Sequence, residues 1–449
     1  MNFAPKSLSI VFGIAATTAL IQPQLASALP LSELERIAKN ITVRIDSQTP
    51  GSGILIKRSG DTYTVLTAAH VVATEDEYDI ITPDDRRYAI DYATVRHFPE
   101  VDLAILEFTS NRTYQVATIG DSRQAKYGNA VFVSGFPANL EANREANLRF
   151  TSGVIAAHAA SPLTDGYAIA YSNNTFQGMS GGSVLNQTGQ LIGIHGQSLT
   201  PLAESRGIHP QTQLKIGANL AIPTHIFLNK ITKVAPNLGF QSVAVSIPKQ
   251  PSTADDYFLQ AVMKQNVQGD LPGAMAALDE AIRLNPGYSQ AFLTRGRVNH
   301  ARGNLTQALA DFNQSIRIHP KGYVGYLHRA IVHGQLKDTQ QALADYDQVI
   351  RLNPNAAVNL VTYYNRASLR AQAGDYQGAI DDLNQAIQIR ETPKTYAKRA
   401  TVQWQLRNRA GTIADFQKAA ELYQAQGDIA SYQSVLKVLK QINRTNSNR

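Results

Sequence analysis

Gly178-Met179-Ser180-Gly181-Gly182-Ser183 sets a serine among three glycines. Glycine at 178 lets the backbone take a turn that a Cβ would obstruct. Such a turn aims the N–H groups of Gly178 and Ser180 at one point, as an oxyanion hole requires. A serine hydroxyl is a poor nucleophile at neutral pH and needs a neighbouring base. Two upstream segments offer one: Thr67-Ala68-Ala69-His70, and Val101-Asp102-Leu103-Ala104-Ile105-Leu106 with a carboxylate to orient it. His70 would take the proton of Ser180 Oγ and return it to the leaving group. Asp102 would fix the imidazole tautomer and stabilise the imidazolium while staying ionised.

Each motif alone has an ordinary reading: a glycine turn, a core histidine before Val71-Val72, an aspartate at a strand start. Their chain order and surroundings argue for the triad, because each sits beside a strand-like run. These runs are Tyr63-Thr64-Val65-Leu66-Thr67, Leu103-Ala104-Ile105-Leu106 and Ser183-Val184-Leu185.

Residues 40–230 thus resemble the trypsin-like (chymotrypsin-fold) serine proteases, in the bacterial branch without disulfides. Further matches are Gly51-Ser52-Gly53-Ile54-Leu55-Ile56, Gly189-Gln190-Leu191-Ile192-Gly193-Ile194 and Gly217-Ala218-Asn219-Leu220-Ala221-Ile222-Pro223. The resemblance implies an all-β double barrel over about 31–230, two six-stranded antiparallel barrels with the triad in the cleft between them. It also implies endopeptidase activity on polypeptides. The short strand-like runs separated by Gly, Asn, Asp and Pro agree with an all-β region. No Ile-Val-Gly-Gly type junction precedes the first barrel, so the resemblance does not extend to activation by insertion of a freed N-terminus. Residues Leu31 to Lys39 read instead as a short helix feeding Ile41 to Ile45.

In that family the residues facing the side chain before the scissile bond correspond here to Asn174, Thr175, His195, Gly196 and Asn219. Asn174, not Asp, stands six residues before Ser180, which argues against a Lys or Arg preference. Thr175 and His195 match in position the Thr and His that grip an acidic side chain in glutamyl endopeptidases. The alternative is a locally bonded His195 in a pocket for small or apolar side chains, and the residues leave both open.

At 449 residues the chain is long for one domain, and 43% hydrophobic with 17% charged residues is normal for a folded protein. Residues 1–28 read as an export signal, with Lys6, an apolar stretch from Leu8 to Ile21 and the small-residue site Ala26-Ser27-Ala28. An uncleaved anchor is the alternative, though the stretch is short for a bilayer span. The expected place is periplasmic or extracellular, with no membrane span after signal removal. Zero cysteines exclude thiol catalysis and thiolate metal sites. Ten scattered histidines show no close ligand pattern, so no metal or other cofactor is expected. The net charge of +7 falls by one with Lys6 and shows no basic run of a nucleic-acid binder.

Beyond Pro223 the pattern changes, with a linker expected over 231–253. Then Asn285-Pro286, His319-Pro320 and Asn353-Pro354 recur every 34 residues, as do Gly269-Asp270, Gly303-Asn304 and Lys337-Asp338. That is the tetratricopeptide period. Ala274, Ala308, Ala342 and Ala379 occupy the small position where paired helices approach. Residues 254–444 therefore resemble about five tetratricopeptide (TPR) repeats, an all-α solenoid with a capping helix over Ser431 to Ile442. Arg295, Arg329, Arg366 and Arg399 each precede an Asp (311, 345, 382, 415) by sixteen residues and follow an aromatic by three. They read as interhelical ion pairs or, alternatively, as an arginine-lined groove for acidic peptides.

The whole reads as a multidomain chain: a trypsin-like double barrel, then a solenoid that recruits a protein or peptide partner. The expected function is exported serine endopeptidase. The alternative is an inert or latent protease-fold scaffold whose repeats bind proteins. An esterase is disfavoured because the strand-to-helix G-x-S-x-G elbow is absent.

Overall fold

The computed structural model describes residues 28–138, 147–198, 219–243, 251–353 and 356–447. The signal segment 1–27 and the positions Gly217 and Ala218 lie outside the described residues.

Helix α1 (Leu31–Ile41) buries Leu34, Ala38 and Ile41 on one face and leads into β1 (Thr42–Asp46). The strands β2 (Gly51–Ser59), β3 (Thr62–Thr67), β4 (Tyr78–Ile81), β5 (Arg87–Ile90), β6 (Arg96–His97) and β7 (Ala104–Thr109) follow. They pair antiparallel in the order β5-β4-β1-β2-β3-β7-β6. The sheet thus has seven strands and two edges, where a closed six-stranded barrel was expected. It curls strongly, because Tyr88 on β5 meets Phe108 on β7 with ring centroids 4.7 Å apart. On β2, Leu55 points into the core of this sheet while Ile54 and Ile56 point into a second core. A strand buried on both faces explains why this segment reads as a continuous apolar run.

The second unit is a closed barrel, β10-β13-β12-β11-β8-β9. Its strands are β8 (Ala130–Gly135), β9 (Arg149–His158), β10 (Ile169–Tyr171), β11 (Ser183–Leu185), β12 (Leu191–Ser198) and β13 (Asn219–Pro223). Val131, Val133, Ile155, Met179 and Val184 fill it. Buried hydroxyls join the two units: Thr42 Oγ1 lies 2.8 Å from Ser134 Oγ, which lies 2.6 Å from Ser183 Oγ. Helix α2 (Thr224–Val234) follows directly, so the expected boundary at 230/231 falls within a helix, and Phe240 beyond it packs back on Phe227.

The remaining helices are α3 (Ala254–Met263), α4 (Leu271–Leu284), α5 (Ser289–Ala301), α6 (Leu305–Ile318), α7 (Tyr323–Gln335), α8 (Thr339–Leu352), α9 (Ala356–Gln372), α10 (Tyr376–Ile389), α11 (Pro393–Gln405), α12 (Arg409–Ala425) and α13 (Ile429–Ser447). Among the described residues they form five antiparallel pairs and a capping helix. Ala274, Ala308, Ala342 and Ala379 are fully buried where pair members approach. Four of the five turns within pairs repeat one device. The first helix ends with a left-handed residue (Gly303, Lys337, Gly374, Arg407), and the next N–H closes on a carbonyl five residues back, as from Asn304 to Asn299. The residue after the turn then caps the second helix: Asp338, Asp375 and Asn408 accept from the N–H three residues on.

The repeated arginines lock helices together. Arg295, Arg329, Arg366 and Arg399 reach Asp311, Asp345, Asp382 and Asp415 on the second helix of their own pair at 2.5 to 2.7 Å. Through Nη1 each also binds the preceding pair, at Asp279, Asn313, Asp347 and Asn384. Their guanidinium groups lie over Phe292, Tyr326, Tyr363 and Tyr396. One side chain thus joins three helices, which favours the interhelical reading over an open arginine groove.

The solenoid is docked on the barrel. Asp255 accepts from the His158 N–H at 3.0 Å, and Asp256 from the Ser161 N–H at 2.8 Å. The Tyr288 hydroxyl donates to the Ala156 carbonyl at 2.9 Å. A single buried cluster runs from Ile222 and Phe227 of the barrel unit to Phe258, Leu278 and Tyr288 of the first repeats.

Candidate active site

His70 stands in a short 3-10 turn, Ala69–Val72, directly after β3, and Asp102 in the turn before β7. β3 and β7 are paired neighbours, so the sheet brings the two side chains together. Asp102 engages His70 twice: Oδ1 accepts the backbone N–H at 2.8 Å and Oδ2 the ring Nδ1–H at 2.6 Å. Since an ionised carboxylate only accepts, Nδ1 is the donor, and in the neutral ring this leaves the lone pair on Nε2. The Tyr167 hydroxyl donates to the same Oδ2. Burial alone would raise the Asp102 carboxyl. The hydrogen bonds from the His70 ring, the Tyr167 hydroxyl and the His70 backbone outweigh it and hold the group below the ordinary aspartate value. Asp102 is nearly enclosed, whereas the His70 side chain is 45% exposed and faces solvent.

Ser180 lies in the bend before β11. Gly178 has φ +91° and Gly181 φ +85°, conformations that a side chain resists. A Cβ at 181 would also overlap the Ser52 carbonyl and the Thr67 hydroxyl. Ser52 holds the bend from beneath. Its N–H donates to the Ser180 carbonyl at 2.8 Å, and its hydroxyl donates to the Gly178 carbonyl at 3.0 Å while accepting from the Phe136 N–H at 2.8 Å. The Gln177 carbonyl accepts from the Ala138 N–H at 2.7 Å, which fixes the peptide that carries the Gly178 N–H. Among the described residues neither the Gly178 N–H nor the Ser180 N–H has an acceptor. Two donors held from below and unpaired are what an oxyanion needs.

Ser180 Oγ donates to the Gly196 carbonyl at 2.8 Å and not to His70. Among the described residues no hydrogen bond joins Ser180 to His70. Catalytic hydrogen bonds are often loose before substrate arrives.

The expected pocket residues lie together. Thr175, His195 and Asn219 are buried, and Asn174 is half-buried beside them. Thr175 Oγ1 donates to Asn219 Oδ1 at 2.6 Å, and the Asn219 amide donates to the Asn173 carbonyl. His195 Nδ1 is bonded to the Tyr171 hydroxyl. Gly196 has no room for a side chain, since a Cβ there would overlap the Tyr167 hydroxyl.

Tyr167 and Ser52 escaped the sequence reading as site residues. Ser52 had a signal in its Gly-Ser-Gly setting. Tyr167 had none, standing among ordinary barrel residues 65 positions from Asp102.

A family model described as trypsin-like peptidase domain matches residues 51–194, and one described as tetratricopeptide repeat matches 267–323 and 327–394. A "Serine protease Do-like HtrA" of Lactococcus lactis subsp. cremoris is 30% identical over 251 residues, covering 51% of this chain and 58% of that protein. One of the same description from Lactobacillus helveticus is 24% identical over 45% of this chain and 48% of its own length. A "Probable periplasmic serine endoprotease DegP-like" of Brucella suis is 29% identical over 35% of this chain and 29% of its own. The chain thus spans about half the length of the first of these relatives. With the site geometry, these likenesses show that the chain carries a trypsin-like peptidase domain fused to tetratricopeptide repeats.

Proposed function

We propose that this protein is an exported serine endopeptidase in which Ser180 is the nucleophile, His70 the general base and Asp102 its orienter. The Gly178 and Ser180 N–H groups take the oxyanion. The observation that carries the reading is the doubly bonded His70–Asp102 pair, which fixes the base tautomer. Two unpaired N–H donors accompany it in the serine bend. Once Ser180 Oγ turns from Gly196 to His70 Nε2, it attacks the substrate carbonyl as Nε2 takes its proton. The imidazolium is stabilised by Asp102 and then protonates the leaving amine. Export rests on the segment 1–28 and on the periplasmic description of the Brucella relative. Among the described residues no helix is long and apolar enough to cross a membrane.

For the residue before the cut we infer a small or apolar side chain over an acidic one. The Thr175 hydroxyl donates to Asn219 and His195 Nδ1 is bonded to Tyr171, so two of the polar groups that could grip a carboxylate are engaged within the barrel. Enrichment of Glu or Asp before the cut in a peptide library, lost in His195→Ala, would overturn that inference.

The repeats, in this reading, hold a polypeptide substrate or a protein partner near the site and raise its effective concentration. The domain division we propose is a protease unit from 31 to about 230, with helix α2 running on to Val234 as its last element, and repeats over 254–444.

The test is labelling of the mature protein with a fluorophosphonate. Covalent modification at Ser180, abolished in Ser180→Ala, supports the endopeptidase. Absence of labelling in a folded protein would establish the inert scaffold instead, with Ser180 held on Gly196.

A further inference from the structure

Tyr167 belongs to the second barrel, yet its hydroxyl donates to Asp102 at the edge of the first sheet. The short loop that carries it is built to reach there. Leu163 N–H donates to the Tyr167 carbonyl at 2.8 Å, Asp165 and Gly166 adopt φ of +67° and +85°, and the Asp165 carbonyl accepts the Asp102 N–H at 2.9 Å. A Cβ on Gly166 would press on Val101, next to Asp102. Tyr167 is only 1% exposed, and a Cβ on the neighbouring Gly196 would overlap its hydroxyl. The carbonyl of that same glycine holds Ser180 Oγ at 2.8 Å. The phenol therefore stands between the carboxylate that orients the base and the strand residue that parks the nucleophile.

We propose that Tyr167 is a positioning residue for the catalytic pair: it fixes the rotation of the Asp102 carboxylate and shares the charge of Oδ2 with the His70 ring. The inference rests on the endopeptidase reading. A hydrogen bond to a carboxylate is charge-assisted and strong. Two donors on Oδ2, from Tyr167 and from His70, divide its negative charge. Removing the phenol leaves that charge to act on His70 alone, so the imidazolium is favoured and the base titrates at higher pH. Burial and the neighbouring carboxylate raise the phenol far above its ordinary value, so it remains a donor wherever the fold stands.

The decisive variant is Tyr167→Phe, which keeps the ring against Gly196 and removes only the hydroxyl. We expect kcat to fall by about tenfold or more, and the acidic limb of the kcat/KM profile to move to higher pH, with the thermal midpoint nearly unchanged. The same displacement is to be read without turnover, from the NMR titration of His70 in Ser180→Ala with and without Tyr167→Phe. An unchanged His70 titration and an unchanged pH profile overturn the proposal even if the protease is active. Failure of the parent protein to label with fluorophosphonate strikes the endopeptidase reading instead and leaves the His70 titration to decide this one. Should Tyr167→Phe not fold, 3-fluorotyrosine at 167 keeps the hydroxyl and makes it a stronger donor. The His70 titration must then move the opposite way, and no movement refutes the role.

Discussion

Ser52 shows how much the serine bend depends on a residue packed beneath it. Its hydroxyl and N–H bind the carbonyls of Gly178 and Ser180, so the bend is held at the peptides that follow both of these residues. Ser52→Ala would leave the Gly178 carbonyl and the Phe136 N–H without their buried partner, a loss on the order of 1 to 3 kcal/mol. We expect slower fluorophosphonate labelling with Ser180 still present, and undiminished labelling would show that the bend is held by its glycines alone. Gly181→Ala should be harsher, because the new Cβ meets the Ser52 carbonyl at a left-handed position. The three residues proposed as the triad stood out in the sequence because each abuts a strand-like run and chemistry restricts the residue types, and the structure brings His70 and Asp102 together. Ser52 as a clamp did not stand out, since its contact with Gly178 spans 126 residues and exists only once the sheet and barrel pack. The expected pocket residues Thr175, His195 and Asn219 were named by position. Their mutual hydrogen bonds, which bear on specificity, depend on barrel register and are invisible in one dimension.

At the scale of elements, the repeats were the most legible part. Their period, small residues and turn signals are local and recur. The left-handed residue after each first helix shows what variation that pattern tolerates: glycine at 303 and 374, but Lys337 with φ +63° and Arg407 with φ +58°. Lys337→Gly relieves that backbone and should raise stability by up to about 1 kcal/mol, seen as a higher thermal midpoint. The arginine locks predict the opposite for Arg329→Met. Asp345, with a side chain only 5% exposed, would lose its guanidinium, and breaking such a pair from one side costs about 3 kcal/mol. Loss of a bound partner in a protein of unchanged thermal midpoint would instead revive the arginine groove. The first sheet was less legible. Its two-residue β6 and its curled edges carry too little periodicity to count, so seven strands with open ends stood where six in a closed barrel were expected.

On the scale of the whole molecule, acid sensitivity should concentrate near the junction of barrel and solenoid. His225 is buried, with Nδ1 hydrogen-bonded to the Ser122 hydroxyl at 2.8 Å, and its ring lies 5.8 Å from that of His158. Burial first, then the nearby His158 and Arg123, pull His225 down to about 4, with Asp121 opposing. Burial also lowers His158, against the Ala125 carbonyl and Asp255 and Asp121. Both rings are therefore neutral in the fold where free histidines in the unfolded chain would already bind protons. Stability rises with pH across that window and is lost as pH falls from about 6.5 towards 4. Thermal midpoints measured across this range should fall steeply. His225→Asn, which keeps an acceptor for Ser122, should flatten the slope, and an unaltered slope would place the acid-sensitive group elsewhere. The same junction decides how recruitment is to be tested. Phe258, Leu278 and Tyr288 share a core with the barrel, so excising every repeat would uncover it. Removing residues 323–449 keeps the first two helix pairs in place. It should raise KM for a protein substrate while sparing a short peptide, and equal kinetics on both would remove the repeats from substrate capture.

The Asp255, Asp256 and Tyr288 contacts also mean that the solenoid is mounted, not leashed. A leash would let a captured chain be cut anywhere within reach, whereas a mounted groove acts as a ruler. An extended chain covers at most about 3.3 to 3.6 Å per residue, so a substrate gripped by the repeats would be cleaved only beyond a minimum number of residues from the gripped segment. The protein would then read distance along its substrate as well as the side chain at the cut.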